Sequence, residues 1–146
     1  MYNTTMSYGE LLNSLFINLQ SMIKKNVNIN GASLQRVTAL SIIPTDGIEM
    51  SSLASRLGID NSTATRLVIG MENVGWVNRQ TSKIDKRIIE VCLTSEGSRL
   101  QFELDKQLNL IGEKVDFQIG PLEKQKTIDG MAHLSWVLLK LSMHKK

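Results

Sequence analysis

Cysteine is nearly absent from this chain. A single thiol, Cys92, leaves nothing to pair with internally, which excludes the disulfide-stapled scaffolds of secreted proteins and suits a reducing cytosol. Histidine is equally scarce. His133 and His144 stand far apart with no cysteine beside them, which is not a zinc-ligand pattern. No apolar run approaches the roughly 20 residues that cross a bilayer. Met1-Tyr2-Asn3-Thr4-Thr5 lacks the basic start and apolar core of a signal peptide, so a cytoplasmic protein without a membrane partner is expected. No Gly-rich loop joins a strand to a helix to cradle phosphate, and no serine sits in a nucleophile elbow. An enzyme has no constellation to support it, and no metal or cofactor is expected. Methionines such as Met22, Met71 and Met131 read as core fillers. Internal repeats and low-complexity tracts are missing too. The 146 residues suffice for one domain with a real core, and a net charge of +3 permits nucleic acid without pointing to it.

What is present is a patterned stretch from Met50 to Thr94. Ser51 to Leu57 reads as a short helix with a serine as its N-cap. Gly58 follows the last apolar residue, where helices turn into a left-handed cap. Ile59 is expected to plug the core, and Asp60 or Asn61 to cap a second helix, Asn61 to Val74. At about 100° per residue, that helix puts Ala64, Leu67, Val68, Met71 and Val74 on one side. Ser62, Thr65, Arg66, Ile69 and Asn73 fall on the other, with Thr63 in the same N-terminal turn. Short hydroxyls approach base edges closely, and arginine pairs bidentately with guanine, so this face suits the major groove. On this helix alone, an ordinary solvated face is an equal alternative.

The residues that follow favour DNA. Gly75 ends the helix, and Trp76 to Arg79 reads as a short strand. Thr81 to Lys86 is a polar loop, and Arg87 to Leu93 a second strand carrying Ile88, Ile89 and Val91. Lys83, Lys86 and Arg87 crowd the tip against Asp85, which is expected to orient Arg87 through a salt bridge. A basic hairpin beside a helix-turn-helix is a winged helix, whose wing lies on DNA backbone or in the minor groove.

Leu53-Ala54, Leu57-Gly58-Ile59, Thr65-Arg66, Gly75-Trp76-Val77 and Arg79 together resemble the MarR family of bacterial transcriptional regulators. Asp85-Lys86-Arg87, followed by Val91, Leu93-Thr94 and Gly97, is the most specific match, similar to that family's wing signature. The resemblance covers about 33–100. It implies a dimeric winged-helix protein, usually a repressor, that binds palindromic promoter DNA and is often released by a small molecule. Two positions depart from the family, which often carries polar or basic residues where this chain has Ile69 and Gly70. Glycine inside a helix costs about 1 kcal/mol against alanine, a local soft point. Ile69 suits either contact with a thymine methyl or burial against protein.

The flanks read as helices. Ser7 to Lys25 carries an apolar stripe through Leu11, Leu15, Phe16, Leu19 and Met22, and Asn26 to Gly31 breaks it. Ser33 to Ile43 turns Leu34, Val37, Leu40 and Ile43 inward before Pro44. Ile48 to Met50 forms a very short strand beside the wing. Thr94 caps a helix through Leu100, Leu104, Leu108, Ile111 and Val115 to Gln118, with Gly97 a weak point in its first turn. Gly120-Pro121 breaks the chain again, and Leu122 to Met143 is the last helix. The outer helices carry more apolar surface than a small core covers, and an isologous dimer is the commonest way to bury it.

The expected fold is therefore mainly α with a small β-hairpin wing: one domain over 1–146, with a winged helix-turn-helix core at 33–93 and dimerisation helices at 7–25 and 94–144. The expected function is sequence-specific binding of double-stranded DNA by a homodimeric repressor, with a small-molecule effector of unidentified chemistry implied by the resemblance. Ser62, Thr63, Thr65, Arg66 and Ile69 are the candidate contacts on the helix, and Lys83, Asp85, Lys86 and Arg87 those on the wing. The alternative is a winged helix used for protein interaction, with no specific DNA site.

Overall fold

Ser7 starts the first helix. Its hydroxyl accepts the Glu10 amide at 3.3 Å while the Glu10 carboxylate accepts the Ser7 amide at 2.8 Å, a reciprocal cap that launches α1, Tyr8–Asn26. Ser33 caps α2, Leu34–Ile42, without that reciprocity: its hydroxyl accepts the Arg36 amide at 3.3 Å. The computed structural model describes residues 6–143, so the opening Met1-Tyr2-Asn3-Thr4-Thr5 and His144 lie outside the described residues. After α2 come β1 (Ile48–Glu49), α3 (Met50–Leu57), α4 (Asn61–Asn73), β2 (Val77–Thr81), β3 (Ile89–Leu93), α5 (Ser95–Ile119) and α6 (Pro121–Met143). The architecture is mainly helical with one small antiparallel sheet in the order β1-β3-β2. Its register pairs Val77 with Leu93 and Thr81 with Ile89 across the hairpin, and Ile48 with Val91 on the other edge.

Several local expectations shift. The serine cap of α3 is not formed: Glu49 is the N-cap without a side-chain bond, because β1 runs straight into the helix and Ser51 already lies in its first turn. Gly58 does take the left-handed cap, at φ 67°, and the Ile59 amide closes it on the Ala54 carbonyl at 3.1 Å. Ile59 itself is only half-buried and outside the main core. Val74 is 48% exposed, since α4 ends at Asn73 and the chain turns away through Gly75. β3 begins at Ile89 and not Arg87, because the Ile88 amide bonds back to the Asp85 carbonyl and holds 85–88 in a turn.

The core joins Val37, Leu40 and Ile43 of α2 to Leu53 of α3, Val68 and Met71 of α4, Trp76 beside β2, Val91 of β3, and Leu100 and Leu104 of α5. Burying a side chain of this kind is worth about 1.5–3 kcal/mol. Polar ties complete the packing. The Gln101 amide donates to the Leu40 and Ile43 carbonyls at 2.7 and 2.8 Å, satisfying groups that the end of α2 would leave open. The first turns of α5 belong to this core, and the chain divides into two compact units inside α5, after Leu108.

In the first unit α1 buries none of its residues and leaves Leu11, Leu15, Phe16, Leu19 and Met22 exposed. The second unit, from Asn109, holds the rest of α5 and α6. Asp116 and Lys124 pair there at 2.9 Å, and Met131, Leu138 and Leu141 are exposed. No helix is long and apolar enough to cross a membrane among the described residues.

Candidate nucleic-acid interface

The start of α4 is organised by Asp60. Its carboxylate accepts the Thr63 amide at 2.9 Å and the hydroxyls of Ser62 and Thr63 at 2.5 and 2.6 Å. The Ser62 hydroxyl first, then the hydroxyl and amide of Thr63, hold the Asp60 carboxyl far below the ordinary carboxylate range. Such a depressed group contributes stability that is complete above the unfolded chain's value of about 3.9, and that is lost as pH falls through the folded value. Asp60→Ala is therefore expected to melt below wild type by a constant margin above about pH 5, with the margin closing in acid. Melting curves over that range check it, and a margin that stays constant down to acid pH contradicts it.

The candidate contacts on α4 divide by what remains free. Ser62 and Thr63 spend their hydroxyl protons on Asp60, and Thr65 donates its own to the Asn61 carbonyl at 2.8 Å. Their oxygens keep lone pairs, so toward a base edge they act as acceptors, fit for the amino groups of cytosine or adenine. Arg66 is exposed. Ile69 is 37% exposed, outside the core that Ala64, Val68 and Met71 enter.

The wing places its charges outward. Asp85 grips Arg87 with both carboxylate oxygens, at 3.2 Å to Nε and 3.1 Å to Nη2, and accepts the Arg87 amide at 3.0 Å. Bonds from the Arg87 side chain first, then from its amide, lower the Asp85 carboxyl. The Arg87 side chain remains 90% exposed, so the expected salt bridge orients the guanidinium without covering it. Lys83 and Lys86 are exposed beside it. Ile84, at the tip, is 98% exposed. An apolar residue in a polar loop is the signal that marks it in the sequence.

Helix and wing are tied together. Glu72 in the last turn of α4 accepts the Arg79 amide at 3.1 Å and its Nε at 2.9 Å, and those bonds lower the Glu72 carboxyl. Glu72 is not among the residues expected from the sequence. Its signal is an acidic residue at a helix C-terminus, where the macrodipole disfavours it unless a cation is close. Between helix and hairpin lies an open cleft of about 320 Å³ lined by Asn61 and Thr65 of α4 and by Arg79, Arg87 and Ile89 of the hairpin, with Met50 and Ser51 of α3. Thr65 and Arg87 thus share one cleft, whereas Ser62, Thr63, Arg66, Ile69, Lys83, Asp85 and Lys86 lie outside its lining.

Cys92 sits on β3, half-buried, with the Gln80 amide 3.1 Å from its sulfur. Burial foremost, then the charges of Glu90 and Asp46, push the thiol up, away from the thiolate that peroxide sensing needs. Among the described residues no cluster of His, Cys, Asp or Glu is arranged to hold a metal.

Residues 33–89 match the family model described as the MarR family, and they contain both α4 and most of the hairpin. Over that stretch the chain is similar to the MarR family. Members of this family are DNA-binding transcriptional regulators and not enzymes. The chain is 30% identical over 94 residues to the transcriptional repressor MprA of Escherichia coli K12, a match that takes in 60% of this chain and 53% of MprA. It spans about half the length of the curated relatives it matches. The structure of Streptococcus pneumoniae FabT in complex with DNA superposes with a TM-score of 0.74 at 22% identity, covering 91% of this chain and 96% of that one. Streptomyces coelicolor PcaV in complex with its natural ligand gives 0.70 at 18% identity, covering 92% and 96%. At those identities the two structures establish this chain's fold and nothing finer.

Proposed function

We propose that this chain is a MarR-family regulator that binds double-stranded DNA sequence-specifically, as a cytoplasmic homodimeric repressor released by a small molecule. The observation that carries the reading is the shared cleft: Thr65 of α4 and Arg87 of the hairpin line one opening, with the Arg87 guanidinium held outward by Asp85. A recognition helix in the major groove and a wing on the adjoining minor groove need that adjacency. Arg66 and the acceptor oxygens of Ser62, Thr63 and Thr65 read base edges. Lys83 and Lys86 take phosphates, and Ile84 rests against the sugar edges of the groove. The DNA-bound FabT and the repressor MprA support the reading, and the ligand-bound PcaV supports an effector.

The exposed apolar faces of α1 and α6 support the dimer. Two recognition helices about 34 Å apart meet successive major grooves of a palindrome. The test is selection of bound fragments from random DNA followed by footprinting. Two protected half-sites are expected, whereas a protein-interaction module protects none.

Ile69 extends the reading. On the DNA-facing side it meets a thymine methyl, the apolar group that base edges offer in the major groove. Ile69→Ala is expected to weaken binding by about 1 kcal/mol where one T position per half-site is intact, and hardly at all where that base is changed. Affinities for the two fragments check it, and equal loss on both sends Ile69 back to protein packing.

A further inference from the structure

Gly70 is the family departure that the recognition helix leaves unexplained, and its surroundings supply a reason. A Cβ at this position would lie 2.8 Å from Nη2 of Arg36, 3.5 Å from its Cζ and 3.7 Å from its Nε. The guanidinium of an α2 residue therefore lies directly on α4, in the space that any side chain at 70 would take. Arg36 is half-buried, and among the described residues its guanidinium has no hydrogen bond or ion pair. Arginine stays charged and carries five N–H donors, so a half-buried one with none of them paired is suited to an outside anion. Its placement names the anion. Gly70 lies one turn beyond Arg66 and two beyond Thr63, and residues at those spacings share a flank of the helix. Arg36 thus extends the flank that Thr63 and Arg66 begin.

We propose that Arg36 is a DNA-contacting residue that binds a backbone phosphate beside the recognition helix, and that Gly70 is the slot that admits it. A cation from α2 thus stands at a position of the recognition helix that has no side chain of its own. This inference rests on the DNA-binding reading and adds a contact that lies outside the 61–87 surface.

The test compares five proteins on a fragment selected by the wild type: wild type, Arg36→Ala, Arg36→Lys, Gly70→Ala and the double variant of Arg36→Ala with Gly70→Ala. Arg36→Ala is expected to bind about tenfold more weakly, the scale of one charge-assisted bond, and to flatten the salt dependence of log K by about one charge per subunit. Arg36→Lys, which keeps the charge, should keep the slope. Gly70→Ala is the sharper case. Its methyl displaces the far end of a flexible side chain while alanine favours the helix, so it should melt higher than wild type and yet bind more weakly. The double variant should bind no more weakly than Arg36→Ala alone, because both changes remove the same contact. Wild-type affinity and slope in a folded Arg36→Ala protein, or additive losses in the double variant, would overturn the proposal while the DNA reading stands. A wild-type protein that selects no fragment would overturn both.

Discussion

Gly97→Ala is expected to lose about 3 kcal/mol or more, at and beyond the upper end of ordinary overpacking, and so a large part of a typical domain's stability. A Cβ there would lie 1.9 Å from the Trp76 carbonyl oxygen, 2.9 Å from its carbon and 3.3 Å from Cδ2 of Leu93. The obstacle is backbone and cannot rotate aside. Trp76 is buried, and its carbonyl accepts the Thr94 amide at 3.0 Å, so moving it breaks the junction between hairpin and α5. Thr94 reinforces that junction: its hydroxyl donates to the Gly75 carbonyl at 2.6 Å and accepts the Gly97 amide at 3.0 Å. The glycine that reads as a weak point in the sequence is therefore a requirement of the fold. Thermal melting checks this, with a fall of roughly 10 °C or more expected. A melting temperature within about 2 °C of wild type contradicts the close approach.

Arg87→Ala is expected to do the opposite, leaving melting nearly unchanged while weakening DNA binding about tenfold or more. With its side chain 90% exposed, the pair with Asp85 contributes little to stability in water. Its value is direction. Both oxygens of Asp85 hold the guanidinium, and on the proposed reading a planar group so held is expected to enter a narrow A·T-rich minor groove, where the negative potential is strongest. Loss of that contact should flatten the salt slope by about one charge per subunit. If the pair only stiffens the hairpin, stability falls and the slope stays. Melting curves and a salt titration of the same variant separate the two.

The legible parts were those that local chemistry dictates. Asp60 capping α4, the left-handed Gly58 and the Asp85–Arg87 pair each follow from neighbours within a few residues. Errors came where distant chain decides. Ile59 looked like a core residue by its apolar character, yet the Gly58 turn leaves it half-buried. Val74 matched the buried stripe of α4, but the helix stopped one residue short of it. In the sequence Gly70 and Gly97 show only their low helix propensity, because what fills the space beside them comes from Arg36 and Trp76, 34 and 21 residues away. Glu72 and Arg79 lie seven apart and meet across the turn into the hairpin. Of the candidate contacts, Ser62, Arg66, Ile69, Lys83, Lys86 and Arg87 are exposed, while the local bonds by which Ser62, Thr63 and Thr65 spend their protons are not legible from residue type alone.

The most direct test of specific DNA recognition is the salt dependence of affinity, measured side by side for a selected fragment and a scrambled one. From about 50 to 200 mM salt, binding to the selected fragment should fall steeply, as several phosphate contacts demand. At each salt concentration it should exceed binding to the scrambled fragment by about a thousandfold or more. Equal affinity for both fragments, or a selected-fragment affinity indifferent to salt, would contradict a helix that reads bases beside a wing that holds the backbone.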